Sequence, residues 1–209
     1  MAAPAAPSAL RCRQILEGFL EPVAGAGAAG LSARLVEEFG SLPGVLAASG
    51  QARLRVLEGR PDLDALLGGL DAALAHIATL RFARGPVVDS WPALLDYLRL
   101  THAFSAVEIA RVLHLDGQGR LILDEEISRG TIDEATIHVR EVIRRAVELH
   151  AASIVLVHNH PSGDPAPSRA DVDITRRIAR AGQPLGIAVH DHLIMSTSGH
   201  ASMRELGLI

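Results

Sequence analysis

The sequence predicts an α/β domain preceded by a small all-helical domain. Three observations carry this. Apolar residues from Ile15 to about Ala83 recur at helical spacing with no strand-like alternation. After Arg84-Gly85-Pro86 the pattern changes to short β-rich runs separated by helical stripes. Apolar residues make up 48% of the chain, enough to bury a core, while aromatics at 3% leave aliphatic side chains to fill it.

The elements follow in order. Residues 2–9 are Ala/Pro-rich without periodicity and read as a frayed tail. Leu31, Leu35, Val36 and Phe39 form one helical stripe, ended by Gly40. Leu63, Leu66, Leu67, Leu70, Leu74 and Ile77 form another. Domain boundaries are expected at 1–85 and 87–209. Ser90 reads as the N-cap of a helix to about Thr101, with Pro92 in its first turn. Ala110–Leu115 and Arg120–Leu123 flank Asp116-Gly117-Gln118-Gly119, a hairpin pattern. Residues 138–150 are an amphipathic helix with Val139, Val142, Ile143, Ala146 and Leu149 on one face. Ser153–His158 is a β-rich run, followed by a Pro/Gly loop and a helix from Arg169 to about Ala181. Ile187–Val189 and His192–Met195 read as two short strands, before a turn at Ser198-Gly199.

Composition narrows the function classes. All 20 basic residues are arginine, and the net charge of -4 argues against a protein that coats nucleic acid. The single cysteine, Cys12, excludes an intrachain disulfide framework and a cysteine-only zinc site. No uninterrupted apolar run reaches the roughly 18 residues of a membrane span, so no membrane association is expected. The N-terminus lacks a charged start followed by an apolar stretch, so a cytoplasmic setting is expected.

The chemistry concentrates between His158 and Asp171. His158 and His160 lie two apart at the end of a predicted strand, where both imidazoles can face one point. A loop with Pro161, Pro165 and Pro167 leads to Ser168, and Asp171 falls in the first turn of the next helix. Two imidazoles and one carboxylate make three ligands for Zn2+ and leave a fourth position for water. Ser168-Arg169-Ala170-Asp171 equally fits a capping box, in which the acid caps the helix and needs no metal. The two readings are compatible, since Ser168 can cap while Asp171 coordinates.

This spacing matches the JAMM motif of JAB/MPN-type metalloproteases. The text from Leu156 to Pro165, with Pro167-Ser168-Arg169, Gly130-Thr131, Arg140-Glu141-Val142 and Asp191-His192-Leu193-Ile194, resembles the RadC family in particular. The resemblance covers about residues 87–209 and implies a curved mixed sheet between helices, with a zinc at a strand end. It implies that His158, His160 and Asp171 are the ligands. It further implies that a glutamate at the start of the first strand, matched by Glu108, is the general base, and that Ser168 bonds the oxyanion. Glu125 and Glu126 compete with Glu108 if the alignment slips. A peptide or protein is the implied substrate. His190 and His192 are given no ligand role, and a core or supporting role is expected for them. The remaining histidines, including His102 and His114, are read as surface or half-buried.

RadC-like proteins usually begin with a helix-hairpin-helix-type module, which implies DNA as an alternative partner and repair as an alternative role. At the matching turn this chain has Leu57-Glu58-Gly59-Arg60-Pro61-Asp62, with one glycine and a proline that removes an amide donor. Residues 1–85 carry 8 arginines against 8 acids, without the basic excess that phosphate binding favours. The module therefore reads as degenerate.

Overall fold

The computed structural model describes residues 9–82, 85–130 and 137–209. The expected tail, residues 2–9, lies almost wholly outside this range, as does Thr131 of the Gly130-Thr131 pair. The chain divides into two compact units, one ending at His76 and one beginning at Ile77. The division falls inside a helix, whereas the sequence boundary was placed at the Gly-Pro punctuation after it.

The first unit is helical. It comprises α1 (Ala9–Ala24), α2 (Ala28–Phe39), α3 (Leu42–Ala47), α4 (Gly50–Val56) and most of α5 (Pro61–Phe82). Leu16, Leu20, Leu35, Val45, Leu57, Leu63 and Leu67 are its buried core. Cys12 joins that core from α1 and is 1% exposed. Ser41 and Ser49 cap α3 and α4 by accepting from the Gly44 and Ala52 amides. Arg53 is buried because three acceptors meet it: Asp64 Oδ1 at 2.6 Å, Leu46 O at 2.9 Å and Ala48 O at 2.8 Å. Among the described residues α5 is the helix long and apolar enough to cross a membrane by length and composition. Asp62, Asp64 and Asp71 interrupt it, and its Leu63 and Leu67 pack into the helical core.

The second unit is mixed α/β. Helix α6 (Trp91–Thr101) leads to β1 (Glu108–Leu115) and β2 (Leu121–Gly130). Then come α7 (Val139–Glu148), β3 (Ser153–Asn159), α8 (Arg169–Gly182), β4 (Ala188–Met195) and β5 (His200–Ser202). The sheet order is β2-β1-β3-β4-β5, with β3 and β4 parallel and the other pairs antiparallel. Alternation along β3 sends Val155 and Val157 to the face covered by α6, with Leu94 and Leu98. It sends Ile154 and Leu156 to the opposite face, with Val142 and Ala146 of α7 and Ile178 of α8.

Four expectations need correction. Ser90 precedes α6, but its hydroxyl donates back to the Pro86 and Val87 carbonyls instead of capping forward. Strand β2 runs on to Gly130 because the polar stretch Asp124–Glu126 finds arginines: Asp124 with Arg111, Glu125 with Arg145, Glu126 with Arg129. The two short strands after Ile187 are one strand, β4. Its mid-strand acid, Asp191, is buried and satisfied by the His192 and Arg204 amides and the Ser202 hydroxyl. Likewise His102 and His114 are buried, at 3% and 0% exposure, rather than half-buried or at the surface.

Candidate metal centre

His158 is the penultimate residue of β3, paired between Ala110 of β1 and Ile194 of β4. The pleat places it on the α8 side of the sheet, in line with Ile154 and Leu156. His160 lies just beyond the strand, its amide bonded to the Met195 carbonyl. The chain then turns through Gly163, whose φ of 88° disfavours a side chain. Ser198 donates to the Gly163 carbonyl at 2.6 Å and ties the loop to the turn after β4.

The loop delivers Ser168 and Asp171 to the start of α8. Ser168 Oγ accepts from the Asp171 amide at 3.1 Å, and Asp171 Oδ2 accepts from the Ser168 amide at 2.8 Å. The capping box is therefore present. The same Asp171 also faces the histidines, with Oδ1 3.4 Å from His158 Nε2 and Oδ2 3.7 Å from His160 Nε2. The two imidazole Nε2 atoms are 2.9 Å apart. One ligand atom from each of His158, His160 and Asp171 lies within 4.8 Å of the others, a grouping that could hold a metal ion. Capping and ligand geometry coexist in one carboxylate, because the box uses Oδ2 from the backbone side and leaves Oδ1 to the cluster.

The donor chemistry fits a cation. His160 Nδ1 is 2.8 Å from the Asp164 carbonyl, which can only accept. A neutral His160 therefore carries its proton on Nδ1 and turns a bare Nε2 toward the cluster. The neighbouring Asp171 carboxylate pushes the His160 pKa up, with a smaller contribution from the charge of Glu108. Burial works to raise the Asp171 carboxyl, but the pairing with His158 and His160 outweighs it and holds Asp171 well below the usual carboxylate range. The centre thus keeps an anion ready beside two imidazoles.

Glu108, half-buried, opens β1 near this cluster, and its charge acts on His160. Glu125 and Glu126 do not join it: their carboxylates are engaged by Arg145 and Arg129 along β2. Ser168 stands at the cluster's edge with its lone pair on the Asp171 amide, which leaves its hydroxyl proton free to turn outward.

Two residues outside the ligand set support the cluster. Asn159 points to the opposite face from His158. It accepts from the Ile109 amide at 2.9 Å and donates to the Val107 carbonyl at 3.0 Å. His192 is fully buried, 2.8 Å from His158 Nδ1 through its Nε2. A supporting role for His192 was expected, whereas His190 instead meets the Trp91 ring edge-on at 5.9 Å.

A family model described as RadC-like JAB domain matches residues 88–208 of the chain. The chain is also 44% identical over 180 residues to a UPF0758 protein of Rhodobacter capsulatus, covering 86% of this chain and 84% of that protein.

Proposed function

The chain belongs to the RadC-like JAB domain family, and from that premise we propose that it is a zinc-dependent hydrolase of a peptide or isopeptide bond. One observation carries the reading: the ligand atoms of His158, His160 and Asp171 converge within 4.8 Å at the open end of β3. Two imidazoles and a carboxylate are a ligand set that zinc accepts while keeping a coordination position for water. Bound zinc would supply a Lewis acid that brings the pKa of a coordinated water to about 7.

The remaining chemistry falls to the chain's own residues. Glu108 takes the proton from the attacking water and passes it to the leaving nitrogen. Ser168 donates a hydrogen bond from its hydroxyl to the oxyanion as the carbonyl becomes tetrahedral. Asp171 is the third ligand and stays ionised at neutral pH, so the site keeps a negative charge for the metal. The cytoplasmic setting expected from the sequence belongs to this proposal.

The proposal does not extend to DNA. At the turn before α5 the Gly59 and Arg60 amides are already bonded to the Leu54 and Leu57 carbonyls, and Pro61 has no amide proton. Arg34 and Arg60 pair with Glu58 and Asp62, and Arg53 is buried on Asp64. Phosphate would have to displace these partners.

Elemental analysis of the purified protein beside Asp171→Ala tests the reading. About one zinc per chain, lost in the variant, is expected. No zinc in either protein after reconstitution would leave the capping box as the whole role of Asp171 and remove the hydrolase reading.

A further inference from the structure

We propose that Thr175 and His192 fix the tautomer of His158, so that its Nε2 is presented bare to the metal centre. The inference follows from counting protons along one chain of contacts. Its consequence for metal binding rests on the function proposed above.

The count begins at Thr175, one turn along α8 from Asp171. Its Oγ1 is 2.5 Å from the Asp171 carbonyl oxygen, 2.6 Å from His192 Nδ1 and 3.6 Å from Met203 Sδ. A hydroxyl has one proton, and a carbonyl oxygen can only accept. The proton therefore goes to Asp171, whose carbonyl is both closer and a stronger acceptor than the thioether. Thr175 then faces His192 with a lone pair, so His192 Nδ1 must be the protonated nitrogen.

His192 is fully buried, and its two ring nitrogens meet Thr175 and His158 rather than a carboxylate, so nothing there compensates a charged ring. As a neutral imidazole with its proton on Nδ1, it has a bare Nε2. That atom is 2.8 Å from His158 Nδ1. The contact is a hydrogen bond only if His158 Nδ1 donates. His158 Nε2 is then bare and faces Asp171 Oδ1 at 3.4 Å and His160 Nε2 at 2.9 Å; with His160 neutral, these are three converging lone pairs with no proton among them, which a cation would satisfy.

The sheet builds this relay. Strands β3 and β4 are parallel, with Leu156 opposite His192 and Ile194 opposite His158. His158 and His192 are therefore diagonal neighbours on the face that α8 covers. The relay starts at the backbone carbonyl of Asp171 and ends at an imidazole facing the carboxylate of Asp171. Asp164 does the same for His160 through its backbone oxygen. Both imidazoles are thus preset by partners on their far side, as metal-bound histidines require. Thr175 and His192 are positioning residues and touch no substrate in this scheme.

The test uses the full chain with 15N-labelled histidine. Long-range proton–nitrogen spectra of the metal-free protein at mildly alkaline pH should show His158 and His192 both protonated on Nδ1. Thr175→Val removes the hydroxyl at nearly constant shape and should weaken zinc binding about 10- to 100-fold. Thr175→Ser keeps the hydroxyl and should restore it. The thermal transition of each metal-free variant checks that the fold survives. A His158 protonated on Nε2 in the wild type would overturn the inference, as would wild-type zinc affinity in a folded Thr175→Val. If the wild type takes up no zinc, the metal reading fails, and the imidazole spectrum alone still decides the relay. If Thr175→Val does not fold, the same spectrum decides it.

Discussion

Asn159 grips the backbone on both sides of Glu108. Its Oδ1 accepts from the Ile109 amide at 2.9 Å, and its Nδ2 donates to the Val107 carbonyl at 3.0 Å. A further donor contact reaches the Ser105 carbonyl at 3.3 Å. The residue between the two histidines therefore sets where the first strand begins, and with it where the candidate base sits. Alternation along β3 makes this possible: His158 goes to one face, Asn159 to the other.

Asn159→Ala should leave the Ile109 amide and the Val107 carbonyl without these partners. The Val107 carbonyl keeps the Ser105 hydroxyl, but the buried Ile109 amide left unpaired costs about 1–3 kcal/mol. Urea unfolding should show a loss in that range. Zinc uptake should persist, because no ligand is touched, while hydrolysis falls further than the stability loss explains. Unchanged stability would mean that β1 is positioned by its strand pairing alone.

Glu108→Gln keeps the size and polarity of the side chain and removes its basicity. Turnover on a cleaved peptide should fall at least about 100-fold, the ordinary contribution of a general base. Zinc content should remain that of the wild type. Comparable turnover in the variant would reassign the base. Glu125→Gln and Glu126→Gln should leave activity near normal, because both carboxylates are held by arginines.

Asp171 combines two functions that substitution can separate. Asp171→Asn retains an oxygen that can accept from the Ser168 amide, so the metal-free protein should lose little stability. Asp171→Ala loses the cap as well, at a cost of about 1 kcal/mol. Both should lose zinc. Calorimetry on metal-free protein beside a zinc titration reads the two effects apart. Retention of zinc by Asp171→Asn would show that the carboxylate charge is not needed for binding.

Much of this site was legible because its signals are local. Ser153–His158 is a run of β-formers, and Ser168 to Asp171 is a cap pattern, so three ligands could be placed on a strand end and a helix start. What was missed depends on distant partners. Asp124–Glu126 read as the end of a hairpin because Arg111, Arg129 and Arg145 are remote or lack a signal of pairing. Asp191 divided β4 on paper because Ser202 and the Arg204 amide, which satisfy it, come later in the chain. His102 and His114 read as surface or half-buried because a lone histidine carries no sign of its burial. The geometry of His192 was invisible for the same reason: its meaning lies in Thr175 and His158, on two other elements.

Zinc binding should weaken as pH falls. In the metal-free protein Asp171 raises the His160 pKa above its ordinary 6.5, so His160 holds a proton at higher pH than a free imidazole does. A metal needs the neutral ring and must displace that proton. Affinity should begin to fall above pH 6.5 and fall steadily below it. Competition titrations with a zinc-chelating dye across this range measure it. An affinity flat from neutral to mildly acidic pH would mean that His160 is not a ligand.

His102 supplies an acid-sensitive element away from the metal centre. Burial, at 3% exposure, lowers its pKa from 6.5 to about 4. The unfolded chain therefore takes up a proton at higher pH than the folded one. The sign follows: stability is full above pH 6.5 and declines as pH falls toward 4, where the folded state begins to bind the proton too. A shift of this size corresponds to a loss of about 3 kcal/mol across that window. His102→Gln keeps a donor for Thr101, which His102 meets at 2.6 Å through Nδ1, and removes the titration. Urea unfolding of the metal-free proteins at neutral pH and near pH 4 should show a steeper fall in the wild type than in His102→Gln. Equal slopes would mean that His102 gains its proton without unfolding cost, and that its pocket admits water.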